Sequence, residues 1–300
     1  MRYLHLDVFT DTPFEGNQLA VCPQPPAGMS PVTMQRIAME MNFSETTFVF
    51  PKEHAGDVKM RIFTPGMELP MAGHPTIGTT FALAAEGVIA PGREAFVFEC
   101  GVGPIPVSLE WNAGGLSFVW MTQPLPSFDD EIENRAALAA AVGLEPADVA
   151  DLPVETVSCG VPYLLVPLAT RAAIDRISID RRALARVFKE AGRRSVATFF
   201  FTTDRTGATG DETVYSRMLA PEFGIAEDPA TGSASGPLGA YLLYHGVVSP
   251  EQAQSMLSLQ GVAMGRPSRV HISIDSDNDT ITRVRVGGRS VMVAEGALLV

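Results

Sequence analysis

Glu45, His74 and Asp228 are the residues whose types and surroundings point to chemistry. Glu45 lies between Asn42-Phe43-Ser44 and Thr46-Thr47-Phe48, at the entry to an apolar strand. A carboxylate set against Phe43 and Phe48 would be desolvated, and desolvation raises a carboxyl pKa toward the range useful for proton transfer. His74 and Asp228 each head a turn, His74-Pro75-Thr76-Ile77-Gly78-Thr79 and Asp228-Pro229-Ala230-Thr231-Gly232-Ser233. An exposed imidazole or carboxylate is expected beside each turn. Both turns put Pro at or near the first helical position, with Gly and Ser or Thr just inside. A helix start leaves backbone N–H groups without partners and adds about half a positive charge, so each junction suits an anion. A small carboxylate fits better than a nucleotide, because Gly232-Ser233 is followed by Ala234 where a phosphate-binding loop needs Lys. The competing readings are plain: a surface or capping role for Glu45, and ordinary capping at each turn.

Other constellations fail. No HExxH or paired-His spacing suggests a metal site, and Cys22, Cys100 and Cys159 make no ligand pattern. Gly232-Ser233-Ala234-Ser235-Gly236 has Ala where a nucleophile elbow needs Ser. His5, His54, His245 and His271 show no partners in sequence.

The elements that must position these residues alternate along the chain. Strands are expected at Tyr3 to Phe9, Glu45 to Phe50, Val58 to Thr64, Ala95 to Cys100, Ile105 to Leu109 and Leu116 to Met121. Met34, Ile37, Ala38 and Met41 recur at helical spacing behind a Ser30-Pro31 start, and a second helix is expected from near Pro75 to Gly87. Gln123 to Asp130 reads as a linker. Beyond it, helices are expected at Glu131 to Val142, Asp180 to Glu190 and Thr231 to Tyr244. Further strands fall near Tyr163 to Val166, Val196 to Phe201, Thr213 to Leu219, Arg269 to Ile274 and Thr280 to Val286.

An internal repeat organises this series. Arg61-Ile62-Phe63-Thr64-Pro65 recurs as Arg217-Met218-Leu219-Ala220-Pro221, and each copy is followed by one of the two turns. Both turns lead into apolar helices closed by glycine, Glu86-Gly87-Val88-Ile89 and His245-Gly246-Val247-Val248. Upstream, Thr47-Phe48-Val49-Phe50 echoes Thr198-Phe199-Phe200-Phe201. Order and spacing agree at four places, which implies two homologous halves.

Composition bounds the rest. The chain has 300 residues, is 46% apolar and 19% charged, and carries a formal charge of −12. Such a chain can bury a core, is too weakly charged for disorder and repels phosphate backbones, so no nucleic-acid partner is expected. Asp7 interrupts any signal peptide and no apolar run is long enough for a membrane span, so a soluble cytoplasmic protein is expected.

Leu6-Asp7-Val8-Phe9-Thr10, Phe14-Glu15-Gly16-Asn17-Gln18-Leu19-Ala20-Val21, Asn42-Phe43-Ser44-Glu45-Thr46, Arg61-Ile62-Phe63-Thr64-Pro65 and Ala72-Gly73-His74-Pro75-Thr76 together resemble the PhzF-like (phenazine biosynthesis) family. Glu227-Asp228-Pro229-Ala230-Thr231-Gly232-Ser233-Ala234, Gln260-Gly261 and Gly265-Arg266-Pro267-Ser268 extend the resemblance over nearly the whole chain. It implies an α+β diaminopimelate epimerase-like fold of two pseudo-symmetric domains, each a barrel-like, mostly antiparallel sheet wrapped around a central helix, with the site between them. The expected domains are residues 1–122, to which 289–300 return, and residues 123–288. The resemblance further implies an isomerase, similar to trans-2,3-dihydro-3-hydroxyanthranilate isomerase, that moves a proton on a small carboxylated substrate without metal or organic cofactor. In that family Glu45 matches the general acid/base, His74, Asp228 and Ser233 match positioning or proton-assisting groups, and Gly73 and Gly232 offer backbone donors to a carboxylate. A homodimer is expected by the same resemblance. Cysteines are absent from both turns, which excludes a two-thiol epimerase. The alternatives are an epimerase or dehydratase using Glu45 opposite His74 or Asp228, and a non-catalytic carboxylate-binding protein on the same scaffold.

Overall fold

A computed structural model of the chain describes residues 1–208, 210–278 and 280–300. Two compact units divide it: residues 1–122 with 285–300, and residues 123–284.

The first unit contains β1 (Arg2–Val8), β2 (Asn17–Cys22), α1 (Pro31–Met41), β3 (Glu45–Pro51), β4 (Val58–Phe63), β5 (Glu68–Leu69), α2 (Gly73–Ala85), β6 (Ala95–Cys100), β7 (Gly103–Asn112) and β8 (Gly115–Gln123). The second contains β9 (Ser127–Glu131), α3 (Arg135–Ala141), β10 (Glu155–Ser158), β11 (Pro162–Pro167), α4 (Arg171–Arg176), α5 (Arg181–Glu190), β12 (Ala197–Thr202), β13 (Val214–Ala220) and β14 (Ile225–Asp228). It continues through α6 (Gly232–Tyr244), α7 (Pro250–Ala253), β15 (Met256–Gln260), β16 (Ser268–Asp277) and β17 (Thr280–Gly288), before β18 (Ser290–Ala297) rejoins the first unit beside β1.

In each unit a helix that is apolar around its whole circumference is buried against the sheet, as that composition requires. In the first unit this helix is α2, packed on β1, β2, β3 and β18; in the second it is α6, packed on β10, β11 and β16. The outer faces are covered by amphipathic helices. Met34, Ile37 and Ala38 of α1 lie over Phe48 and Phe63, and burial of each large side chain there contributes about 1.5–3 kcal/mol. In β12, Phe199 and Phe201 face the α6 side while Phe200 faces the cluster around Leu184 and Phe188 of α5, the alternation a strand imposes. The outer face of α5 carries Arg182, Arg186 and Lys189, all exposed, a basic stripe on an otherwise acidic chain.

Two expected segments differ. Ser127–Glu131, read as part of a linker, is strand β9 paired with β10, and the helix expected from Glu131 begins only at Arg135, capped by Asn134. Pairing with β10, which brings Phe128 opposite Val157, overrides the weak helical pattern at Glu131.

The pairing order is the same in both units. β18, β1 and β2 are antiparallel neighbours, β2 and β3 parallel, β3 and β4 antiparallel, β4 and β6 parallel, β6 and β7 antiparallel, with the short β5 on β4. The series recurs through β9, β10, β11, β12, β13, β15 and β16, with β14 on β13. Register corrects the sequence repeat in two places. Arg61 pairs with Phe48 and Arg217 with Phe200, so Thr198 corresponds to Thr46, not Thr47, and Glu45 corresponds to Ala197. Leu69 pairs with Ile62 and Asp228 with Met218, so Asp228 corresponds to Leu69, not His74. His74 is instead the second residue of α2, as Ser233 is of α6. Pro75 stands inside its helix whereas Pro229 precedes one, and the similar spelling of the two turns conceals that offset.

Candidate active site

Glu45 opens β3, and because side chains alternate along a strand it faces with Thr47 rather than with Phe48. Thr47 bonds Thr79 of α2, Oγ1 to Oγ1 at 2.8 Å, so that face looks onto α2. Phe48 packs with Met34 and Phe63 on the other side, and Phe43 stacks on His5, so the aromatic wall expected around the carboxylate is not what encloses it. Its neighbour is His74, whose Nε2 lies 3.2 Å from Glu45 Oε2. The Glu45 side chain is 13% exposed and that of His74 is 5% exposed, so the imidazole expected at the surface is buried.

Burial pushes the His74 pKa down to about 3, against a weaker opposing hydrogen bond with the Gln18 backbone. The ring is therefore neutral at neutral pH. Asn17, fully buried at the start of β2, places Nδ2 3.3 Å from His74 Nδ1. The pair formed by His74 Nε2 and Glu45 Oε2 is a close approach of two buried atoms rather than a hydrogen bond. Glu45 and His74 thus stand side by side.

The second cluster is built on β14, α6 and β15. Asp228 closes β14 and is buried at 9% exposure, again not the surface carboxylate expected. Its Oδ2 accepts from Thr231 Oγ1 at 2.5 Å. Gln260, at the end of β15 and fully buried, accepts from Thr231 N at 3.0 Å and donates to Asp228 O at 2.8 Å and Thr231 Oγ1 at 3.0 Å. Ser233 shares a 2.6 Å hydrogen bond with the Tyr163 hydroxyl, and Gln123 donates to the Gly232 carbonyl at 2.9 Å. An arginine braces the strand leading to each helix: Arg61 makes a paired contact with Glu68 at 2.7 and 2.6 Å, and Arg217 makes one with Glu227 at 2.9 and 2.7 Å.

Gly73 and Gly232 are the first residues of α2 and α6. The other five α-helices each have an N-cap side chain accepting from the first turn: Ser30, Asn134, Thr170, Asp180 and Ser249. α2 and α6 have none, since Ala72 lacks an acceptor and the Thr231 hydroxyl is committed to Asp228. Their first-turn N–H groups are left to a ligand or to water, and a carboxylate is the small anion that suits such donors.

Asn17, Thr231 and Gln260 lie within motifs legible in the sequence, but nothing there assigns them a role. Tyr163 and Gln123 carry no signal at all. His245, without a partner in sequence, bonds Glu155 through Nε2 at the far end of α6. Among the described residues no group of three or more His, Cys, Asp or Glu could hold a metal ion, and no helix is long and apolar enough to cross a membrane.

Comparison with known proteins accords with this architecture. The family model for phenazine biosynthesis-like protein (PhzC-PhzF) matches residues 6–296. The chain is 35% identical over 305 residues to trans-2,3-dihydro-3-hydroxyanthranilate isomerase of Pseudomonas aeruginosa, covering 98% of each chain. A crystal structure of a PhzF-family phenazine biosynthesis protein from Bacillus anthracis superposes with a TM-score of 0.88 at 28% identity, covering 100% of this chain and 99% of that one. A hydroxyproline epimerase from Agrobacterium vitis shares the fold at a TM-score of 0.65 and 15% identity, covering 99% of this chain and 91% of that one. A family match spanning nearly the whole chain, with relatives of this coverage, makes the protein an isomerase of the phenazine biosynthesis-like family.

Proposed function

We propose that the protein is a cofactor-independent isomerase that moves a proton by general acid/base catalysis on a small carboxylated substrate, similar to trans-2,3-dihydro-3-hydroxyanthranilate. The observation that carries this reading is the buried Glu45 carboxyl held 3.2 Å from a neutral imidazole. Glu45 takes a proton from a carbon next to the substrate's unsaturated system and returns it at another position. A neutral His74 stands beside the carboxyl without forming an ion pair with it. Conjugation within the substrate spreads the charge left by the departing proton, so the step needs no separate electron sink. The uncapped N–H groups that open α2, and those that open α6, are donors of the kind that stabilise a carboxylate or a developing negative charge. In this reading Asp228 and Ser233 hold polar substituents of a substrate.

Incubation with trans-2,3-dihydro-3-hydroxyanthranilate in D2O, followed by NMR, tests the proposal. Rearrangement with deuterium entering the ring is expected, and Glu45→Gln should slow it by about 10²–10⁴-fold while leaving substrate affinity largely intact. Equal rates in the two proteins would remove Glu45 from the mechanism. Binding without turnover in either, for this and related cyclic acids, would favour a carboxylate-binding protein instead.

A further inference from the structure

The hydrogen bonds around Asp228 have only one consistent direction. Gln260 commits its whole amide: Oε1 accepts from Thr231 N, while Nε2 donates to Asp228 O and to Thr231 Oγ1. Turning the amide over would set Nε2 against the Thr231 N–H and Oε1 against the Asp228 carbonyl, two repulsive contacts in a fully buried site. Thr231 Oγ1 therefore accepts from Gln260, and its single proton is left to donate at 2.5 Å to Asp228 Oδ2. The order of donation runs from Gln260 through Thr231 to Asp228.

The repeat supplies an internal comparison. β6 pairs in parallel with β4 as β15 does with β13, and Cys100 pairs with Gly103 as Gln260 does with Ser268. Cys100-Gly101 is thus the counterpart of Gln260-Gly261, and Leu69-Pro70 of Asp228-Pro229. The two glycines pass their proline counterparts alike, a Cβ at Gly101 lying 3.0 Å from Pro70 Cα and one at Gly261 3.1 Å from Pro229 Cα. The backbone crossing is retained in both units, but the acid and the amide occur together in one and are both absent from the other.

We propose that Gln260 is a positioning residue that, through Thr231, keeps Asp228 an ionised carboxylate with Oδ2 restricted to accepting. The proposal rests on the reading of Asp228 as a group that meets substrate. Asp228 then serves the reaction as a base or a fixed negative charge, and any proton it takes up must reside on Oδ1. The charged and titratable groups on the flanking elements are the Arg217–Glu227 pair and Tyr215 on β13 and β14, Glu222 just before β14, Arg266, and Arg269 and His271 on β16. They are the same in every variant below.

The carboxyl carbon of Asp228, labelled with ¹³C and assigned with Asp228→Asn, reports the ionisation directly. In Gln260→Glu the donor to Thr231 is replaced by an acceptor, the hydroxyl is drawn away from Asp228 and a like charge is added. The Asp228 titration should rise by about one unit or more, with the acidic limb of the pH–rate profile rising alongside it. Thr231→Val should raise it in the same direction, and Thr231→Ser should restore it, so a folding failure in one variant leaves the other to decide. An unchanged Asp228 titration in Thr231→Val would overturn the proposal. A shifted titration with an unmoved pH–rate profile would keep the clamp and overturn the assignment of Asp228 to the reaction.

Discussion

Acid should weaken the first unit through His74, and by a calculable amount. In the unfolded chain this imidazole takes up a proton near pH 6.5; in the folded unit burial delays that to about pH 3. Between those values the unfolded state binds more protons, so the stabilisation is complete above pH 6.5 and is lost progressively as the pH falls. The loss approaches about 1.4 kcal/mol per pH unit and reaches about 2 kcal/mol between about pH 6.5 and about pH 4.5. Both tryptophans, Trp111 on β7 and Trp120 on β8, lie in the first unit, so their fluorescence follows its unfolding in urea. Carboxylates contribute their own pH dependence, and His74→Gln serves as the reference that retains them. The wild-type free energy should fall below that of the variant by the stated slope. Parallel curves across this range, or an imidazole NMR signal of His74 that titrates near 6.5 in the folded protein, would refute the claim that the ring is held neutral by burial.

Two further outcomes follow from the braces around the second cluster. Gly261 has φ of +78°, and a Cβ there would lie 2.4 Å from Arg266 O and 2.5 Å from Pro229 O. Gly261→Ala should therefore destabilise the second unit by about 3 kcal/mol, summing left-handed strain and backbone overlap; unfolding followed by far-ultraviolet circular dichroism measures it, and a loss under about 1 kcal/mol would mean that the turn yields. Arg217→Ala leaves the mostly buried Glu227 without its brace and should cost about 3 kcal/mol, whereas Arg61→Ala, whose partner Glu68 is 41% exposed, should cost under about 1 kcal/mol. Equal losses for the two would contradict this difference in burial.

Much of the fold was legible because local signals agreed with it. The Met34, Ile37, Ala38 and Met41 spacing gives α1, and Asp180 caps α5 where expected. The repeat was visible, but its alignment was not. His74-Pro75 and Asp228-Pro229 look alike in sequence, and only strand register shows that one begins inside a helix and the other ends a strand. Glu45 is recognisable in the sequence as an unusual carboxylate, but the residues that enclose it are not. Phe48 is three residues away and so lies on the opposite face, while His74, distant in sequence, supplies the contact. Asn17, Tyr163 and Gln260 act through hydrogen bonds to residues 57, 70 and 29–32 positions away, respectively, and no local pattern encodes such pairs. Strand β9 is hidden in the sequence because a Pro-rich approach and acidic residues outweigh its short apolar content.

The return of β18 to β1 sets the order in which the molecule can be completed during synthesis. The second unit is continuous and ends at residue 284, within β17. The first, although translated earlier, must wait for residues 285–300, and at ribosomal rates the interval is on the order of ten seconds. Throughout it β1 is paired with β2 on one side and presents an open edge on the other. An open edge is a template for pairing with another nascent chain. In the finished unit that edge is closed by β18 along Arg2–Val8.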